Sequence, residues 1–184
     1  MNIQAVEMSS LFERRFGLAP VYDAATRILV LGSFPSPASL LARQYYGHPQ
    51  NQFWRLMGAM IDAPLHDLPY LERLDCLLRH GIGIWDVYQS CVRPGALDAD
   101  IRAGKANDFS GLLHETPRLA RFCFNGRTAA RFAPRLVALA AEAGREVTAH
   151  VLPSSSPVYT LSFAQKRERW REGGVPPMKT LWCA

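Results

Sequence analysis

Residues 27–37 read Arg27-Ile28-Leu29-Val30-Leu31-Gly32-Ser33-Phe34-Pro35-Ser36-Pro37. The apolar run from Ile28 to Leu31 is short and stops at a glycine, the pattern of a strand buried in a parallel sheet. Ile82-Gly83-Ile84-Trp85-Asp86-Val87-Tyr88 reads as a second strand, and Arg121-Phe122-Cys123-Phe124-Asn125-Gly126 as a third. Residues 146–152 form a fourth. Helices are expected at 37–45, 51–61 and 69–80, the last opening on Pro69 and stopping near Gly81. Others are expected at 108–115 and at 127–143, where alanine and leucine recur at helical spacing, and at 162–172. Strands alternating with helices predict an α/β fold with a parallel sheet covered on both faces.

Outward from this frame, residues 93–107 are polar and predict an exposed loop with helical pieces. The chain reads as one domain over 1–184, residues 1–20 being a loosely packed N-terminal extension and 11–26 packing on the body. At 184 residues, 48% hydrophobic and 20% charged, it can bury a core, which excludes a disordered chain. The net charge of +5 is compatible with a polyanionic partner. The four cysteines show no CxxC spacing and no close histidine partners, so no zinc motif is present. No apolar stretch approaches the ~18 residues of a membrane span, and no secretory signal is visible. A cytoplasmic protein is expected.

Ligands of parallel α/β sheets sit beyond the C-terminal ends of the strands. Here those ends carry Ser33, Asp86, Asn125 and Ser154. Gly32 allows close approach of backbone to a ligand, and the helix start behind it offers amides; a plain strand-to-helix turn has the same pattern. The motifs GxxxxGK[ST] and GxGxxG are absent. In Gly47-His48-Pro49-Gln50-Asn51-Gln52-Phe53-Trp54, an aromatic ring could wall an extruded base, and Asn51 could orient a water. The same residues could be core aromatics with Asn51 as a helix cap, and the period of Trp54, Met57 and Ile61 places Trp54 in the core. His48 is the histidine within that loop, able to assist as a base or only to cap a turn. Asp86 and Asn125 can read a base edge or cap turns. Ser154-Ser155-Ser156 can bind phosphates or start a helix. Lys166, Arg167, Arg169 and Arg171 form a phosphate-facing strip or a solvated helix face.

On Gly32-Ser33-Phe34-Pro35, Tyr45-Tyr46-Gly47-His48-Pro49-Gln50-Asn51-Gln52-Phe53-Trp54, Phe124-Asn125-Gly126 and Leu152-Pro153-Ser154-Ser155-Ser156-Pro157, the chain resembles the uracil-DNA glycosylase superfamily, most of all its hypoxanthine-DNA (deoxyinosine) glycosylase branch. The resemblance covers about residues 20–175. It implies a three-layer α/β/α sandwich with a central, mostly parallel four-stranded sheet. It also implies monofunctional hydrolysis of the N-glycosidic bond of a deaminated base, without metal or cofactor. The implied partner is double- or single-stranded DNA containing such a base, in base excision repair; a monomer is expected. Other branches carry an Asn or Asp that positions water in the first loop; here Phe34 stands at that place. Catalytic weight then maps to Asn51 and Asn125, with His48 assisting. Base binding maps to Phe53 as the stacking ring, with Asp86, Ser33 and Gly32, and phosphate binding to Ser154, Ser155 and Ser156. Alternatives are a mismatch-type uracil or thymine glycosylase and a catalytically silent DNA- or nucleotide-binding module. A small esterase using a serine near Ser33 or Ser154 would need a GxSxG elbow that the chain lacks.

Overall fold

The structure, a computed structural model, describes residues 13–175. Four parallel strands form the central sheet: β2 (Ile28–Gly32), β3 (Ile82–Asp86), β6 (Arg121–Asn125) and β7 (Thr148–Leu152), in the order β3-β2-β6-β7. Register is continuous, with Ile28 opposite both Ile82 and Arg121, and Arg121 opposite Thr148. Every residue of β2 and β3 is buried, as a sheet covered on both faces requires. Helices flank this sheet in the three-layer α/β/α arrangement: α1 (Pro37–Ala42), α2 (Phe53–Ile61), α3 (Tyr70–Arg79), α4 (Ser110–Glu115), α5 (Arg127–Ala130), α6 (Ala133–Glu142) and α7 (Phe163–Glu172).

Local chemistry fixes the helix ends that border the sheet's C-terminal edge. Ser36 Oγ accepts the Ser39 amide at 3.2 Å and Pro37 sits in the first turn of α1. Ser162 caps α7, accepting the Gln165 amide at 3.3 Å while Gln165 Oε1 accepts the Ser162 amide at 3.1 Å. α2 and α7 pack together through Phe53 and Trp170, whose rings meet edge to face at 5.9 Å.

The expected single helix over 127–143 is two, α5 and α6. Pro134 lies in the first turn of α6, where its missing N–H is harmless, so the pattern restarts there. The expected exposed loop at 93–107 holds one 3₁₀ turn, Asp98–Asp100, but also a strand, β5 (Arg102–Ala106). β5 pairs with β4 (Tyr88–Val92), which pairs with β1 (Arg14–Phe16), making a second, antiparallel sheet in the order β1-β4-β5. The chain bends after Asp86 and passes from one sheet to the other. Val21 exchanges backbone hydrogen bonds with Ile84 at 3.0 and 2.8 Å, covering the outer edge of β3. Residues 1–12 of the expected loose extension lie outside the described residues.

Candidate active site

The four parallel strands end along one edge, at Gly32, Asp86, Asn125 and Leu152. The sheet order makes β2 and β6 the switch point, where successive connections leave in opposite directions and a crevice opens. A cleft of about 220 Å³ lies there. That is below the roughly 300–1,000 Å³ of drug-sized sites and suits one flat heterocycle.

Gly32, Ser33, Tyr46, Asn51, Asp86, Asn125 and Ser154 to Ser156 line this cleft. A Cβ on Gly32 would lie 2.3 Å from Asp86 Oδ1, so glycine is needed for the Asp86 carboxyl to rest against the end of β2. Asp86 is 4% exposed, and its Oδ2 has no hydrogen-bond partner among the described residues. Removal from water pushes its pKa up to about 7; the charge of Asp98 adds to this and Arg93 opposes it. The Tyr46 hydroxyl lies on the same side of Gly32, is buried and is also without a well-formed hydrogen bond. Burial first, then Asp86, raise its pKa far above the phenol range, so it stays neutral. Tyr46 holds its place with a left-handed backbone (φ 54°) and a ring stacked on Phe53 at 3.7 Å.

The amides are oriented by what they already bind. Asn51 Oδ1 accepts the Phe53 amide at 3.0 Å. Only an oxygen can do this, so the NH₂ end of Asn51 is turned away from the helix start. Asn125 Oδ1 accepts the Ser155 amide and its Nδ2 donates to Ser155 Oγ, both at 2.8 Å. Asn125 is therefore a two-point clamp on the serine loop. The Gln52 amide donates to the Ser155 carbonyl at 3.0 Å and ties the Asn51 loop to the same segment. Behind it, Lys166 is 1% exposed and donates from Nζ to the Ser156 carbonyl at 3.1 Å. Its ammonium also lies 5.5 Å from the Tyr159 ring centroid. Burial lowers its pKa. Lys166 thus leaves the expected phosphate-facing strip and braces the serine loop from within.

Two expected site residues stand apart from the cleft. Phe53 was expected to stack on a base, but its ring is fully buried, lying between Tyr46 on one side and Trp170 and Trp54 on others. A ring at a loop–helix junction has the same sequence pattern whether it walls a pocket or fills the core, and here the core takes it. The rings that do line the cleft include Phe34, Tyr46 and Tyr159. His48 is not in the lining; its Nδ1 accepts the Gln50 amide at 3.2 Å in a local turn, so it is a capping histidine. Trp54 is buried, with its indole N–H on the Tyr45 carbonyl at 3.2 Å, as its period predicts.

The structure adds residues that no motif pointed to. Arg93 is buried, donates from Nη2 to the Pro35 carbonyl at 2.6 Å and lies over the Phe34 ring at 5.4 Å. Asp98, from the turn between β4 and β5, lines the cleft and accepts the Ser33 hydroxyl at 2.7 Å. Both lie in the polar stretch read as a solvated loop, and only the unforeseen β4–β5 pairing folds that stretch back over β2.

Residues 19–173 match the model of the uracil DNA glycosylase superfamily. A hypoxanthine DNA glycosylase of Methanosarcina acetivorans is 42% identical over 152 residues, covering 83% of this chain and 92% of that protein. Its counterpart in Methanosarcina barkeri is 38% identical over 159 residues, covering 86% and 97%. The solution NMR structure of a Methanosarcina acetivorans protein described as a uracil DNA glycosylase superposes with a TM-score of 0.76 at 39% identity, covering 87% of this chain and 96% of that one. With its strand-end cleft, its paired loops and a family match spanning nearly the whole described fold, the chain belongs to the uracil DNA glycosylase superfamily.

Proposed function

We propose that this protein is a monofunctional DNA glycosylase that hydrolyses the N-glycosidic bond of a deaminated base, with hypoxanthine as the preferred one. The observation that carries this reading is the unpartnered carboxyl oxygen on the cleft wall, Asp86 Oδ2, with the buried Tyr46 hydroxyl near it and weakly held by Asn125. An unpaired buried polar group costs about 1–3 kcal/mol, and a base edge that pairs with Asp86 recovers it. A neutral carboxyl sets a donor beside an acceptor, which matches the O6 acceptor and N1–H donor of hypoxanthine side by side. The relatives named for hypoxanthine support the same base.

The sequence of events follows from the geometry. Basic groups hold the DNA backbone, and the nucleotide rotates out of the stack at a cost of a few kcal/mol, less for a poorly paired base. The base enters among Phe34, Tyr46 and Tyr159, and Asp86 reads its edge. Asn51 presents N–H donors where negative charge gathers on the departing base. Asn125 and Lys166 hold the serine loop so that its hydroxyls and amides meet the flanking phosphates. Val158, 66% exposed at the cleft mouth, is an apolar wedge for the gap in the duplex.

Oligonucleotides carrying hypoxanthine, uracil or xanthine, treated with wild type and with Asn51→Ala and then with alkali, test the assignment. Cleavage is expected at hypoxanthine above the others, slowed about 10²–10³-fold by Asn51→Ala with duplex binding retained. Faster release of uracil would favour a mismatch-type enzyme, and binding without base release would leave a silent DNA-binding module.

A further inference from the structure

Phe34, the residue after Ser33, turns its ring toward Arg93 and so offers no polar side chain to a water at the end of β2. A carboxylate reaches the same rim from another part of the chain. Asp98 lies in a short turn that is braced without its help. The Leu97 amide donates to Asp100 Oδ2 at 3.2 Å, and Arg102 donates to the Ala99 and Ile101 carbonyls. Gly95 makes room for this, since a Cβ there would collide with Asp100 Oδ2 at 2.1 Å. The braced turn delivers Asp98 to the end of β2, where Oδ1 takes the Ser33 hydroxyl at 2.7 Å. Asp98 Oδ2 has no partner among the described residues and remains available at the cleft.

We propose that Asp98 is a catalytic residue of this site, the carboxylate that orients the attacking water and takes its proton. The inference rests on the glycosylase reading above. Ser33 fixes one carboxylate oxygen, and the other accepts a water hydrogen. As the C1′–N9 bond breaks, its electron pair leaves with the purine, and the water oxygen bonds to C1′. One water proton passes to Asp98 and on to solvent, while the purine is protonated from solvent as it departs. Two carboxyls in one cleft then divide the work by environment: the buried Asp86 meets the base, and the exposed Asp98 meets the water. The ionisable groups that bear on Asp98 are Asp86 from β3, Arg93 and Cys91 from β4 and its turn, and Tyr46 from the loop before α2.

Asp98→Asn tests this cleanly, because an amide oxygen still accepts the Ser33 hydroxyl and the turn keeps its own braces. Single-turnover release of hypoxanthine is expected to fall about 10²–10⁴-fold, with Kd for the deoxyinosine duplex unchanged. The wild-type rate should decline toward acid pH, and that limb should vanish in Asp98→Asn. Added formate should restore part of the rate to Asp98→Ala. A structural role alone would move neither the acid limb nor the formate response. Wild-type release of hypoxanthine with Asp98→Asn within threefold of it overturns the inference and leaves the glycosylase reading intact. A wild type that releases no base removes both.

Discussion

Asp86 carries the clearest physical signature of any residue in the cleft: a carboxyl out of water, without a partner, beside a glycine that must be a glycine. Its pKa is raised from the ordinary 3.8 to about 7 in the folded chain. The folded state therefore holds a proton that the unfolded state has lost between those two values. By linkage, stability is greatest below the lower value and declines as pH rises through the upper one. Asp86→Asn removes the ionisable group and should gain on wild type by on the order of a few kcal/mol between pH 4 and 8. Urea unfolding of both proteins at the two pH values measures this; a difference that does not change with pH would argue that Asp86 is already ionised. Excision by wild type should also decline above about pH 7, since an ionised Asp86 presents no donor to O6. The position of Asp86 was legible in the sequence as a polar residue ending an apolar strand. Its unpaired state was not, because that depends on Gly32 and Tyr46 arriving from elsewhere in the chain.

Among elements, the parallel strands were readable and the antiparallel ones were not. β2, β3 and β6 announce themselves by unbroken apolar runs that both faces of the sheet demand. β5 (Arg-Ala-Gly-Lys-Ala) has no β-branched or aromatic residue and is almost wholly exposed. It exists through its pairing with β4, a relation that no local pattern encodes. That gap hid Asp98 and Arg93. The serine loop was legible as a polar loop, whereas the clamp by Asn125 and the buried Lys166 beneath it needed the folded chain. The loop also carries Val158, whose exposed side chain has no fold to stabilise. Val158→Ala should leave stability within about 0.5 kcal/mol, as surface changes do. It should slow excision several-fold from duplex DNA while sparing single-stranded DNA, where no stack has to be refilled. Equal slowing on both substrates in single-turnover assays would remove the wedge role.

The whole molecule places its chemistry by topology. A sheet in the order β3-β2-β6-β7 opens its crevice between β2 and β6, and the segments leaving those strands and their neighbours bring Ser33, Asp86, Asn125 and the serine loop to one rim. Alternating strands and helices were enough to anticipate that edge. Beneath it, Phe53 and Trp170 lock α2 to α7 and so fix the Asn51 loop relative to the helix that braces the serine loop. Described residues hold no helix long and apolar enough to cross a membrane. On the proposed reading this edge extrudes a damaged base and cuts only its bond to sugar. Mass spectrometry of a deoxyinosine duplex incubated with the protein tests it most directly. Free hypoxanthine, an equal amount of abasic sugar, and a strand that stays whole until alkali is added are the expected products. Hypoxanthine still joined to deoxyribose, or a strand broken before alkali, would contradict it.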